Sequence, residues 1–263
     1  GRIFLVQLNL FTFTGKIMNK IKLFLILSIF FNVATIAEGA FTTVMVSAKD
    51  TSKYIEAVKS NTALYETIGA DAAGYCETIS GRDYAGQLMM WSAYSDVTSA
   101  IKGASKYDPS KASKQMANMR EFKYGTTWAP LKPFPRLDPG YERAMRLKIS
   151  QANLPAFIAG ITKLEKEIQD AGHDTFMNGL FIALGGGTYE ADTLYLKSIT
   201  SNVDTHGAVI DDYFSGAAWG VTYREVTALI SEIVNDLPAG GRRLVQKASG
   251  YSYTIVSGEV AFK

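Results

Sequence analysis

Three basic side chains stand at alternating strand positions in the second half of the chain: Arg146 and Lys148, two residues apart, and Lys197. Strand alternation sends residues i and i+2 to one side of a sheet, so all three are predicted to point into the same space. Trp91 and Tyr195 share that inward set, and Tyr94 follows Trp91 at a strand-to-helix junction. Cations withdrawn from water need anionic partners. A small acidic, phenolic or enol-like ligand would serve, and so would Glu77, Glu142 or Glu259; the sequence leaves both open. Trp91, Tyr94, Arg146, Lys148, Tyr195 and Lys197 are therefore the candidate ligand-binding residues, with no catalytic residue assigned.

Other chemistry-bearing residues carry less. The chain has two histidines, His173 and His206. Neither has a second ligand at metal spacing, so both are expected in solvent and no metal site is expected. Cys76, the single cysteine, falls in a strand-like segment and is expected as a buried, inert thiol. Gly185-Gly186-Gly187 lacks the helix and the Lys-Ser/Thr pair of a phosphate loop and is predicted to be a hairpin turn. No Gly-x-Ser-x-Gly element is present.

The elements that must position these residues come in two similar series. Trp91-Ser92-Ala93-Tyr94-Ser95-Asp96-Val97 and Lys197-Ser198-Ile199-Thr200-Ser201-Asn202-Val203 lie 106 residues apart. Each closes a strand and opens a helix. Self-similarity on this scale predicts two copies of one supersecondary unit. In the first, Thr42 to Ala48 is a strand, Asp50 caps a helix, Ala73 to Ile79 and Gln87 to Ser92 form a hairpin, and Ser95 or Asp96 caps a second helix. A further helical stretch carries Met116, Met119 and Phe122, and Thr126 to Leu131 is a strand. In the second, Arg143 to Ser150 is a strand. Phe157, Ile161, Leu164 and Ile168 stripe a helix behind Asn153 and Pro155. Phe176 to Leu184 pairs with Thr193 to Thr200, and a short helix follows near Asp204. A longer helix carries Tyr223, Val226, Ile230, Ile233 and Leu237, and Tyr251 to Val260 is the last strand.

The ends and composition set the compartment. From Met18 a short basic head leads into the apolar run Leu23 to Phe31 and then small residues, the pattern of a secretory signal peptide over 18–39. Residues 1–17 read as translated upstream sequence. With Arg2, Lys16, Lys20, Lys22 and Glu38 removed, 23 basic side chains face 24 acidic ones. That balance gives no electrostatic ground for nucleic-acid binding. The expected protein is secreted, in the periplasm, and keeps no stable membrane anchor. One cysteine allows no internal disulfide, so stability must come from a core. Domains are expected at 40–129 and 141–263, joined by a Pro-rich linker at 130–140.

Each series reads strand, helix, strand, strand, helix, strand, the ferredoxin-like βαββαβ unit of an α+β protein. One unit leaves a sheet face bare, and two can pair those faces into a pseudo-symmetric barrel. On this element order and the two strand-to-helix junctions, residues 41–263 resemble the dimeric α+β barrel superfamily in its tandem-duplicated form. That resemblance implies cofactor-independent monooxygenases, isomerases, haem enzymes or stress-responsive proteins. The monooxygenase branch implies a histidine on the inner face of the helix after the junction; Gly103 stands there instead. The haem branch implies a histidine on a helix of the second unit. Only His206 is near, at the start of its helix, so no cofactor is expected. The function expected is binding of a small acidic or phenolic molecule between the units. The alternative is a cofactor-independent monooxygenase- or isomerase-like enzyme. Duplication supplies the partner that single-unit relatives recruit; further homo-oligomer formation is left open.

Overall fold

The computed structural model describes residues 39–79, 81–247, 251–256 and 259–262. The signal-peptide expectation falls almost wholly outside them. Among the described residues no helix is long and apolar enough to cross a membrane.

Eight strands close on themselves. They are β1 (Ala40–Ala48), β2 (Ala72–Thr78), β3 (Gln87–Tyr94), β4 (Arg120–Lys132), β5 (Gly140–Lys148), β6 (Met177–Gly185), β7 (Leu194–Thr200) and β8 (Glu232–Lys247). The order β8-β2-β3-β1-β4-β6-β7-β5 returns to β8, and every pairing is antiparallel. Two long strands make the closure. β4 pairs with β1 through residues 120–128 and with β6 through 127–132. β8 pairs with β5 through 232–242 and with β2 through 239–247. Closure satisfies strand edges that would otherwise be open to other chains. β9 (Tyr251–Val256) and β10 (Glu259–Phe262) form a hairpin that continues from β8.

Alternation divides the side chains between the ring's two faces as expected. Val46, Leu88 and Met90 face outward with Tyr54, Ile55, Val58, Tyr65 and Ile68 of α1 (Thr51–Ser60) and α2 (Ala63–Ile68). Leu147, Leu180, Leu194 and Leu196 face outward against α5 (Leu154–Asp170), whose whole predicted stripe is buried. The remaining helices are α3 (Val97–Lys106), α4 (Lys114–Met119), α6 (Val203–Phe214) and α7 (Gly220–Thr227). Side-chain caps start α1, α3 and α6, while Asn153 before α5 makes no side-chain cap. Carboxylate oxygens of Asp50 and Asp96 accept from the backbone N–H of Lys53 and Ser99, and Asn202 accepts from Thr205. Those N–H groups hold the Asp50 and Asp96 carboxyls below the usual range. Each such cap satisfies a first-turn N–H that has no partner within the helix.

Inside the ring, Phe41, Met45, Met89, Trp91, Trp128, Phe181 and Tyr195 meet in one cluster. Trp128 stacks on Tyr195 with centroids 4.8 Å apart, and Phe41 meets Phe181 edge-on at 4.6 Å. Side chains fill an eight-stranded ring in this way because its bore is little wider than they are.

Three stretches depart from expectation. The first helix breaks at Asn61, where the Ser60 hydroxyl donates to the Ala57 carbonyl at 3.0 Å. Phe122 belongs to β4, not to the helix before it. The helix expected to run from Tyr223 to Leu237 stops at Thr227, and Ile233 and Leu237 lie in β8. Their spacing suits a helix, but Pro238 and Gly240-Gly241 break one, and the strand wins by closing the ring.

Candidate functional site

The ring interior gathers part of the predicted set. Trp91, Tyr195 and Lys197 are buried there, and Arg146 is buried at 8% exposure. The cations face carboxylates of the protein. Lys197 Nζ lies 3.0 Å from Glu142, which is fully buried, and 5.0 Å above the rings of both Phe41 and Tyr195. Arg146 lies 3.8 Å from Glu190 and 3.9 Å from Asp83. Burial pushes the Glu190 carboxyl up against the opposing pull of Arg146, and burial likewise raises Tyr195. Two members stand apart. Lys148 is half-exposed at the strand end and pairs with Glu232 at 2.8 Å. Tyr94 ends β3 on the opposite, helix-facing side.

A cavity of about 710 Å³ opens elsewhere, between α5, α6 and α7 and the outer face of β5, β6 and β7. None of the six predicted residues lines it. The 106-residue correspondence sets the matching place of the first half beside it. Tyr94 and Thr200 are the last residues of β3 and β7, while Ala100 matches His206 and Gly103 matches Val209 on the following helices. In the first half Tyr94 lies under α3 so closely that a Cβ on Gly103 would stand 2.3 Å from its hydroxyl. Glycine is what admits the ring. Gly103 therefore occupies the place of the expected monooxygenase histidine for a packing reason. In the second half Thr200 stands at the matching strand end, and His206 and Val209 of α6 line the cavity.

His206 turns inward from α6 at 7% exposure, which corrects the expectation of a solvent-facing ring. Its early place in the helix does not take it off the cavity wall. The imidazole packs on Tyr141 with centroids 4.7 Å apart. Burial, and after it the charge of Arg143 on the same wall, pull its pKa down to about 4. The ring is therefore neutral at neutral pH. Nδ1 lies 3.4 Å from the Thr200 hydroxyl oxygen, which donates its own proton to the Asn202 carbonyl at 3.0 Å.

The rest of the wall is largely apolar and aromatic: Phe157, Ile161, Leu164 and Ile168 from α5, Val209 and Tyr213 from α6, and Trp219 and Tyr223 around α7. Asn178 and Ser198 add a polar patch, already joined by a 2.8 Å hydrogen bond from the serine. A mostly apolar cleft of a few hundred cubic ångströms with few polar groups is the usual form of a small-molecule site. Among the described residues, no three His, Cys, Asp or Glu side chains cluster to hold a metal. His173, the other histidine, pairs with Asp212 at 2.7 Å.

No family model matches the chain, and no curated protein matches it. Solved structures do. One titled "putative monooxygenase from Lactobacillus acidophilus NCFM" aligns over 85% of this chain and 98% of its own at 9% identity, with a TM-score of 0.50. A mutant chlorite dismutase from Candidatus Nitrospira defluvii aligns over 79% and 93% at 8% identity, with a TM-score of 0.49. Identity this low speaks to the backbone and not to the chemistry. What the chain shares with the Lactobacillus protein is an α+β barrel fold, a curled antiparallel sheet with helices on its outside.

Proposed function

We propose that this chain is a small-molecule-binding α+β barrel built from two ferredoxin-like copies, and that its ligand, an acidic or phenolic aromatic molecule, occupies the helix–sheet cavity of the second half. The observation that carries this is the cavity itself, about 710 Å³ of mainly apolar wall with Arg143 and His206 on it. The two-copy origin is supported by matched element order, by caps 106 residues apart, and by β4 and β8 making equivalent crossings between halves. We place the ligand in this cavity and not among Trp91, Arg146, Tyr195 and Lys197. There an anion would have to displace Glu142 or Glu190 from a cation already compensated. Secretion rests on the leader-like residues 18–39.

Calorimetric titration with 1-naphthol and benzoate tests the reading. Saturable binding by the native chain is expected, and its loss in Val209→Phe, which puts a ring into the cavity from α6, with folding retained. Equal binding by both proteins would refute it. A featureless visible spectrum of the purified protein is the expected companion result; a Soret band would replace the organic ligand with haem. A second reading, a cofactor-independent enzyme of monooxygenase or isomerase type, is favoured by one observation: a neutral imidazole on the wall of the same cavity.

A further inference from the structure

We infer that Trp219 is the hydrogen-bond donor that orients the ligand of the second-half cavity. The ligand is then an aromatic molecule with an acceptor oxygen, best a carboxylate, at the end that meets the indole; this rests on the cavity being the ligand site. Trp219 stands on the cavity wall at 5% exposure. Its buried Nε1–H has no hydrogen-bond partner among the described residues. Buried polar groups are nearly always paired, because a donor taken out of water without an acceptor loses its hydration for nothing. Other polar side chains on this wall follow that rule. Asn178 donates to the Ile161 carbonyl at 3.4 Å, Ser198 to the Asn178 side-chain oxygen at 2.8 Å, and Thr227 to the Tyr223 carbonyl at 3.0 Å. The indole departs from it, and a ligand oxygen would supply what the protein does not.

The other half of the ring points the same way. Trp219 occupies the N-cap position of α7, and Ser113, 106 residues earlier, occupies that of α4. Ser113 caps its helix, the hydroxyl oxygen accepting from the Met116 N–H at 3.2 Å. Trp219 makes no such bond, so the second half forgoes a cap at the place where it sets an indole on the cavity. A residue that breaks a local preference without benefit to its own helix is where function is expected. Tyr213 packs on the indole with centroids 5.8 Å apart, and Tyr223 meets Tyr213 edge-on at 4.8 Å. These rings give a ligand ring an aromatic surface to pack on while its oxygen accepts from Nε1–H. An indole N–H donates and cannot accept, so an amine or other donor-only group gains nothing there.

Three probes graded by their oxygen test this in calorimetric titration: benzoate, 1-naphthol, and 1-methylnaphthalene, which keeps the apolar rings and has no oxygen. Trp219→Phe retains an aromatic ring and removes the donor. It is expected to lose about tenfold or more in benzoate affinity, the scale of a hydrogen bond to a charged acceptor, and about fivefold for 1-naphthol, the scale of a neutral one. Binding of 1-methylnaphthalene is expected to change little, which shows that the cavity survives the substitution. An equal loss for all three probes, or no loss for benzoate, overturns the donor role and leaves the cavity reading standing. Proton NMR of the native chain decides the same point without any variant. The Trp219 Nε1 proton is expected to move downfield as benzoate is added, and an unmoved resonance with benzoate bound overturns the proposal. Failure of all three probes to bind the native chain overturns the cavity reading and this proposal together.

Discussion

The two halves of the ring solve one packing problem in opposite ways. In residues 40–132 a large strand-end residue, Tyr94, meets small helix residues, Ala100 and Gly103, and all but fills the space under α3. In residues 140–247 the strand end carries Thr200, the helix carries His206 and Val209, and a cavity remains. The ring interior shows the same exchange of roles. Trp91 packs as an apolar wall where its counterpart Lys197 needs Glu142 to remain buried. At these two places the first half packs apolar side chains where the second holds an ion pair and open space.

The comparison can be broken most severely inside the ring. Glu142→Gln leaves Lys197 charged and without its carboxylate in an apolar cluster, and is expected to destabilise the protein by about 3–5 kcal/mol in denaturant unfolding. Trp91→Phe, its counterpart in the first half, should cost clearly less. Next comes Gly103→Val, which gives α3 the residue that α6 carries. The new side chain meets the Tyr94 ring, so a loss of roughly 3 kcal/mol is expected. Combining it with Tyr94→Thr should recover a large part of that loss, because the two changes together rebuild the second half's arrangement. Simple additivity would show that the exchange of sizes is incidental.

Acid distinguishes the halves more gently. The unfolded chain protonates His206 near its ordinary 6.5, whereas the folded chain resists until about 4. Below 6.5 the unfolded state therefore binds a proton that the folded state does not, and stability declines as pH falls toward 4. The decline expected is on the order of 2 kcal/mol, after discounting for partial solvation. His206→Ala, which imitates Ala100, should remove that part of the slope in urea midpoints measured across the range. The smallest effects test sameness. Asp96→Ala and Asn202→Ala remove equivalent caps and should each cost about 1 kcal/mol. Unequal losses would mean that the two helices are anchored differently.

Much of this organisation was legible in residue order. Alternation placed Trp91 inside with Tyr195 and Lys197, and the same period carries Leu88 and Met90 to the helix-facing side. The inward cations Arg146 and Lys197 were legible for the same reason, and Glu142 was among the carboxylates that could meet them. Their neutralisation depends on distances across the ring, which no local pattern carries. β8 was hidden because Ile230, Ile233 and Leu237 fit a helical spacing, and only ring closure selects the strand. The cavity was missed although its signal was present. Tyr94 against Thr200 and Ala100 against His206 are visible at a fixed offset, but a change in size becomes a void only when helix and sheet are brought together.

The central claim is that the second half keeps open, for a ligand, the space that the first half fills. Calorimetric titration of 1-naphthol into the native chain and into Val209→Phe, at matched folded fraction, tests it most directly. The expected result is a saturable heat in the native chain that disappears in the variant. Binding that is equally tight in both would contradict the claim.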